Sequence, residues 1–139
     1  MAIPDFRTTF ENLQLSETAK NISSFMYYAQ GRSIMKGKEH RLVFDLAQHQ
    51  YWLEERLEER KDNEEGENGI FEKIPGRFGR VFNIPEGIRV EVENAAVQFY
   101  ADGRIDKVRI YFENLRKNYF TISTKEQSGY VGLYDFKME

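Results

Sequence analysis

His40 and His49 are the two side chains of this sequence that ordinarily change charge near neutral pH. A metal site or a nucleophile–base–orienter triad would need partners for them at ligand or catalytic spacing. His40 falls where a helical pattern gives way to a strand pattern, and His49 sits in a tight turn. No such partners flank either residue, so both read as solvated histidines. The chain has no cysteine, which removes disulfides, thiolate metal sites and a cysteine nucleophile. Asp62, Glu64, Glu65 and Glu67 form an acidic cluster. A calcium loop of the EF-hand kind needs glycine at its sixth position, and counting from Asp62 that position is Glu67, so the cluster reads as a solvated loop. "GRFGR" (76–80) lacks the glycine spacing and the following helix of a phosphate-binding loop, and reads as a turn with exposed arginines. Asn21-Ile22-Ser23 has the form of a glycosylation acceptor but lies on a predicted helix beside a core position. Trp52, between Tyr51 and Leu53, reads as strand packing rather than a ligand platform. Nothing assembles a nucleophile, a base and an orienting group, so the expectation is a non-enzyme without metal or cofactor.

Basic residues come in small groups: Lys36, Lys38 and Arg41; Arg77 and Arg80; Arg104, Lys107 and Arg109; Arg116 and Lys117. Acidic residues are interleaved with them, and the formal net charge is −3. The C-terminal stretch 124–139 sets Lys125 and Lys137 against Glu126, Asp135 and Glu139. Nucleic-acid affinity is built from several phosphate contacts, so nucleic acid is not the expected partner. No apolar run approaches the ~18 residues of a membrane span, and no secretory signal is read.

The elements that must position these residues follow from periodicity. A chain of 139 residues, rich in Phe and Tyr, fits one α+β domain (1–139) with a core of its own. Residues 4–36 read as one long helix. Pro4 and Asp5 suit its first turn, and Gly37 flanked by Lys36 and Lys38 suits its end. The remainder, 40–139, reads as antiparallel sheet of about seven short strands. "RLVFDL" (41–46) and "QYWLEE" (50–55) flank a turn and predict a hairpin. "AVQFY" (96–100) and "KVRIYFE" (107–113) around "ADG" predict another, and "IRVEVE" (88–93), "YFTIST" (119–124) and "YVGLYDF" (130–136) add strands. The charged stretch from 54 to 69 reads as a flexible insertion or frayed helix, with the insertion proper at 56–68.

The helix carries two apolar stripes. Phe6, Phe10 and Leu13 step by four and three, and so do Leu15, Ala19, Ile22, Met26 and Ala29. At about 100° per residue the stripes point to nearly opposite sides. A helix lying on one core keeps one face. Periodicity leaves open what the front stripe faces; a core that wraps both sides of the helix is one answer.

The order of elements resembles a known family. "AIPDF" (2–6) resembles the stretch of type IV pilins and pseudopilins that follows the membrane half of their N-terminal helix. "LSETAKNISSFMYYAQGRSIMKGKEHRLVFDLAQHQYWLE" (15–54) resembles the H-type minor pseudopilins and the related FimT-type minor pilins. "IPEGIRVEVE" (84–93) and "VQFYADGRIDKVRIYF" (97–112) resemble that family's proline-glycine turn and its D-G hairpin. The sequence departs from the pattern at Gly31, in its long charged insertion, and in lacking the hydrophobic N-terminal segment with its prepilin cleavage site. The resemblance implies a structural minor pseudopilin of a type II secretion pseudopilus, at or near the tip, acting in filament assembly and protein export. It implies a processed, methylated precursor anchored in the bacterial inner membrane with a periplasmic domain, this stretch itself being soluble. It implies partners among other minor and major pseudopilins, reached through the helix and the globular faces. On that implication Phe6, Phe10 and Leu13 face partner subunits. The alternative is a DNA-binding minor pilin of a type IV, DNA-uptake system.

Overall fold

The computed structural model describes residues 6–57 and 70–139. Pro4, Asp5, the acidic cluster and most of the charged insertion lie outside the described residues.

One helix, α1 (Phe6–Lys36), opens the fold. It stops at Gly37, whose φ of 64° is the left-handed conformation that glycine adopts without strain. The Lys38 amide then donates back to the Ser33 carbonyl at 3.2 Å, the long return bond of a Schellman cap.

Nine strands follow among the described residues: β1 (His40–Asp45), β2 (Gln50–Arg56), β3 (Phe71–Lys73), β4 (Phe82–Asn83), β5 (Arg89–Val92), β6 (Ala96–Phe99), β7 (Arg109–Glu113), β8 (Tyr119–Ser123) and β9 (Gly132–Tyr134). They form two antiparallel sheets. The first runs β3-β2-β1-β6 with β4 also paired to β2, and the second runs β5-β7-β8-β9. The architecture is the expected α+β one, with more strands than the expected seven. β4 is two residues long, too short to leave an alternation in sequence.

The β1–β2 hairpin forms as expected. One turn of 3-10 helix (Leu46–Gln48) joins its strands: the Asp45 carboxylate caps the Gln48 amide, and His49 closes the turn with φ 53°. Its inward rows pair Leu42 with Leu53, Phe44 with Tyr51 and His40 with Glu55. The expected second hairpin does not form. The strands around Asp102-Gly103 part company: β6 pairs with β1 in the first sheet, β7 with β5 and β8 in the second. What remains of it is a short bridge, Phe99 to Ile105, with the Tyr100 amide donating to the Arg104 carbonyl and the Asp106 amide to the Gln98 carbonyl. A second correction concerns charge. The second hairpin strand, read as 50–55, runs one residue further to Arg56, the first residue of the expected charged insertion, and both Glu55 and Arg56 are buried.

The core is one cluster fed by α1 and by both sheets. Helix residues Ala19, Ile22, Met26 and Ala29 are wholly excluded from solvent, with Leu15 1% exposed. They lie against β1 and β6 of one sheet and β7, β8 and β9 of the other. Ile110 and Phe112 of β7 and Ile122 of β8 face them from the second sheet. Burying a Leu, Ile or Met side chain contributes roughly 1.5–3 kcal/mol, so this row is what holds the helix down.

Candidate interaction surface

The front of α1 leaves the core at a clasp made by the β7–β8 turn. Asn114, itself buried, donates its amide to the Asn12 side-chain oxygen at 3.0 Å and to the Glu11 carbonyl at 3.3 Å. Its own side-chain oxygen accepts from the Arg116 and Asn118 amides, which shapes the turn. The Asn118 side-chain amide donates to the same Asn12 oxygen at 2.6 Å, and Arg116 lies 3.5 Å from Glu11. Toward the N-terminus of this clasp Phe6 is 75% and Phe10 62% exposed, and beside it Leu13 is 56% exposed. Phe10 and Leu13 form one wall of a shallow groove of about 280 Å³, with Asn83 and Pro85 opposite. Apolar side chains grouped and exposed in this way mark an interaction surface more often than scattered ones do.

The rear of α1 is tied down by polar groups that sequence reasoning missed. Gln30 donates through its one amide nitrogen to two carbonyls, Gly103 at 2.8 Å and Gly129 at 2.7 Å. It thereby clamps the β6–β7 and β8–β9 loops to the helix. Tyr27 donates its hydroxyl to the Val131 carbonyl at 2.8 Å. Arg32 donates to His40 Nε2 and to Glu55 Oε2, both at 3.0 Å, and Lys38 stands 3.8 Å from the same carboxylate. Next to it Glu39 pairs with Arg56 and accepts from the Gln98 amide.

His40 is therefore not the solvated histidine expected. It is wholly buried. An arginine can only donate, so Nε2 accepts from Arg32, and Nδ1 carries the hydrogen that reaches the Lys38 carbonyl at 3.1 Å. Burial lowers its pKa first; the Lys38 carbonyl pulls the other way, and the Arg32 charge lowers it further. The signal was present in the alternation His40, Leu42, Phe44, which puts the imidazole on the inward face. His49, by contrast, is exposed. Among the described residues no group of three or more His, Asp or Glu is placed to hold a metal ion.

The basic groups do not converge into one phosphate-binding patch. Arg104 pairs with Asp102 at 2.8 Å, Arg109 with Glu126 at 2.9 Å, and Lys117 with Glu113 at 3.7 Å. Trp52 donates to Glu54 at 2.8 Å, with Lys73 over its ring, as a strand-packing residue would. Among the described residues no helix is long and apolar enough to cross a membrane.

A long N-terminal helix laid on two antiparallel sheets, with its front free of the core, is the pilin-like α+β fold of H-type minor pseudopilins. Two solved structures carry the likeness, both of the minor pseudopilin EpsH from the type II secretion system of Vibrio cholerae. One superposes with a TM-score of 0.70 at 9% identity, covering 88% of this chain and 97% of that one. The other gives 0.71 at 10% identity, covering 91% and 96%. No family model matches the sequence, and no curated protein matches it either. The likeness therefore lies in the fold.

Proposed function

We propose that this chain is the globular part of a minor pseudopilin of a type II secretion pseudopilus, at or near its tip, and that its work is filament assembly for protein export. The observation that carries the reading is the division of α1: Phe6, Phe10 and Leu13 stand exposed on a helix whose next stripe is wholly buried. A stable domain gains nothing from three large apolar side chains in water, whereas a subunit that lays its helix against neighbouring helices does. On this reading those residues face partner subunits, further contacts come from the globular faces, and a membrane segment precedes residue 2 in the precursor. Inner-membrane anchoring, a periplasmic domain and N-terminal processing with methylation belong to the same reading. A DNA-uptake role is the poorer fit, because several of the arginines and lysines are already neutralised by carboxylates.

The test is to mix this domain with the soluble domains of the minor subunits encoded beside it. Complex mass is then measured by light scattering after size exclusion. A defined hetero-complex that is lost in a Phe6→Ser/Phe10→Ser variant supports the reading. A monomer in every mixture, with a DNA duplex bound instead, overturns it.

A further inference from the structure

The "GRFGR" turn has a built role that the assembly reading does not use. Gly76 takes φ 83° and Gly79 closes on the Ile74 carbonyl, where a Cβ would sit 1.5 Å from the oxygen. Position 79 is therefore restricted to glycine, and the tight turn turns Phe78 toward the helix. The Phe78 ring lies 4.5 Å from that of Tyr28 and 6.2 Å from that of Phe25. Phe82, edge-on to Phe25 at 5.0 Å and stacked on Tyr51 at 5.6 Å, completes an open aromatic groove of about 410 Å³ on the flank of α1.

Its charge is one-sided. No carboxylate lines it. Arg77 and Arg80 are exposed at its edge, with their guanidinium groups 5.2 Å and 5.1 Å from the Phe78 and Phe82 ring centres. Among the described residues neither has a carboxylate within ion-pair distance, whereas Arg41, Arg56, Arg89 and Arg104 all do. Among the described residues, two arginines three positions apart thus lack a carboxylate partner beside half-buried aromatic rings. It is an open trough on the flank of α1 rather than a closed ligand cavity.

We propose that this trough docks an acidic peptide segment of another protein, one in which an aromatic or aliphatic anchor stands between carboxylates. The anchor enters among Tyr28, Phe78 and Phe82, and the carboxylates take Arg77 and Arg80 by forked hydrogen bonds. This goes beyond the assembly reading and does not depend on it, because it uses the flank of the helix and not the Phe6 stripe.

The experiment is selection from a phage-displayed random peptide library on the wild-type domain, with the R77E/R80E variant as counter-target. Both arginines are exposed, and circular dichroism checks that the variant folds. The expected consensus is an apolar anchor flanked by at least two acidic residues. A labelled peptide of that consensus is expected to lose at least tenfold in affinity on R77E/R80E by fluorescence anisotropy, and to bind more weakly as salt rises. Three results would each overturn the proposal. They are no enrichment over the variant, a consensus without acidic residues, and equal binding of the selected peptide by both proteins. A concentration-dependent dimer lost in R77E/R80E, without peptide binding, would also overturn it and make a second copy of this chain the occupant.

Discussion

Phe6–Leu13 and Leu15–Ser33 lie on one continuous helix, yet the two stretches meet opposite surroundings. The rear is held along its inner face and at its end: apolar contacts to two sheets, the Gln30 clamp on two loops, and the Arg32–His40–Glu55 network at the end of the hairpin. The front is tied at its base by the Asn114 clasp and turns its large apolar side chains outward. A helix shared in this way can carry stability at one end and association at the other, because the contacts of one do not touch the other. That separation can be attacked from both ends by mutation.

The largest effect belongs to the rear stripe. Ile22→Ala is expected to destabilise the domain by about 4 kcal/mol in urea unfolding, since the site lies between two sheets and cannot collapse. A loss below about 1 kcal/mol would mean that the helix is not pinned by this row. Glu55→Ala comes next, at about 3 kcal/mol, because it leaves the half-buried Arg32 beside the buried His40 without its carboxylate. Glu55→Gln keeps a hydrogen-bond acceptor and should recover part of that loss. If both variants are neutral, the network is incidental to stability.

Gln30→Ala should cost about 2 kcal/mol, as two loop carbonyls lose their donor. Its signature is local: amide exchange should quicken around Gly103 and Gly129 and not around Phe6–Leu13. Uniform acceleration would deny that the rear clamps act separately from the front.

A pH series reads the buried imidazole. In the unfolded chain His40 takes a proton near its ordinary pKa of about 6.5, whereas the folded protein resists it down to a lower pH. Between those limits the unfolded state binds more protons, so stability is full above about 6.5 and falls as the solution is acidified. The slope is at most ~1.4 kcal/mol per pH unit. His40→Gln should flatten the slope even if it lowers stability overall. An unchanged slope would assign the titration to other groups.

What the sequence made legible is whatever is local and periodic. The two helix stripes, the Gly37 stop and the β1–β2 hairpin were readable because each depends on residues a few positions apart. The partners of Gln30 stand 73 and 99 residues away, and no local pattern connects them. Asp102-Gly103 signals a turn, but a turn does not say which sheet each flanking strand joins, and the expected hairpin failed there. Glu55 closed the expected strand, and Arg56 looked like the start of a solvated charged run. They are buried because Arg32 comes from the helix and Glu39 from the β1 side to neutralise them. His40 was misjudged for the same reason: its type was weighed, and its place in the inward alternation was not.

The smallest expected effect on stability is also the one that most sharpens the comparison. Phe6→Ser/Phe10→Ser removes two rings that are mostly in water, so unfolding free energy should change by less than about 0.5 kcal/mol. A loss above ~2 kcal/mol would show that these side chains serve the domain's own core and would end the division between front and rear. With stability unchanged, the same variant isolates association. Its complexes with neighbouring minor subunits should weaken while the Gln30→Ala variant, less stable but with an intact front, still forms them. The reverse ranking would place the interface on the globular faces, and the exposed stripe would then need another explanation.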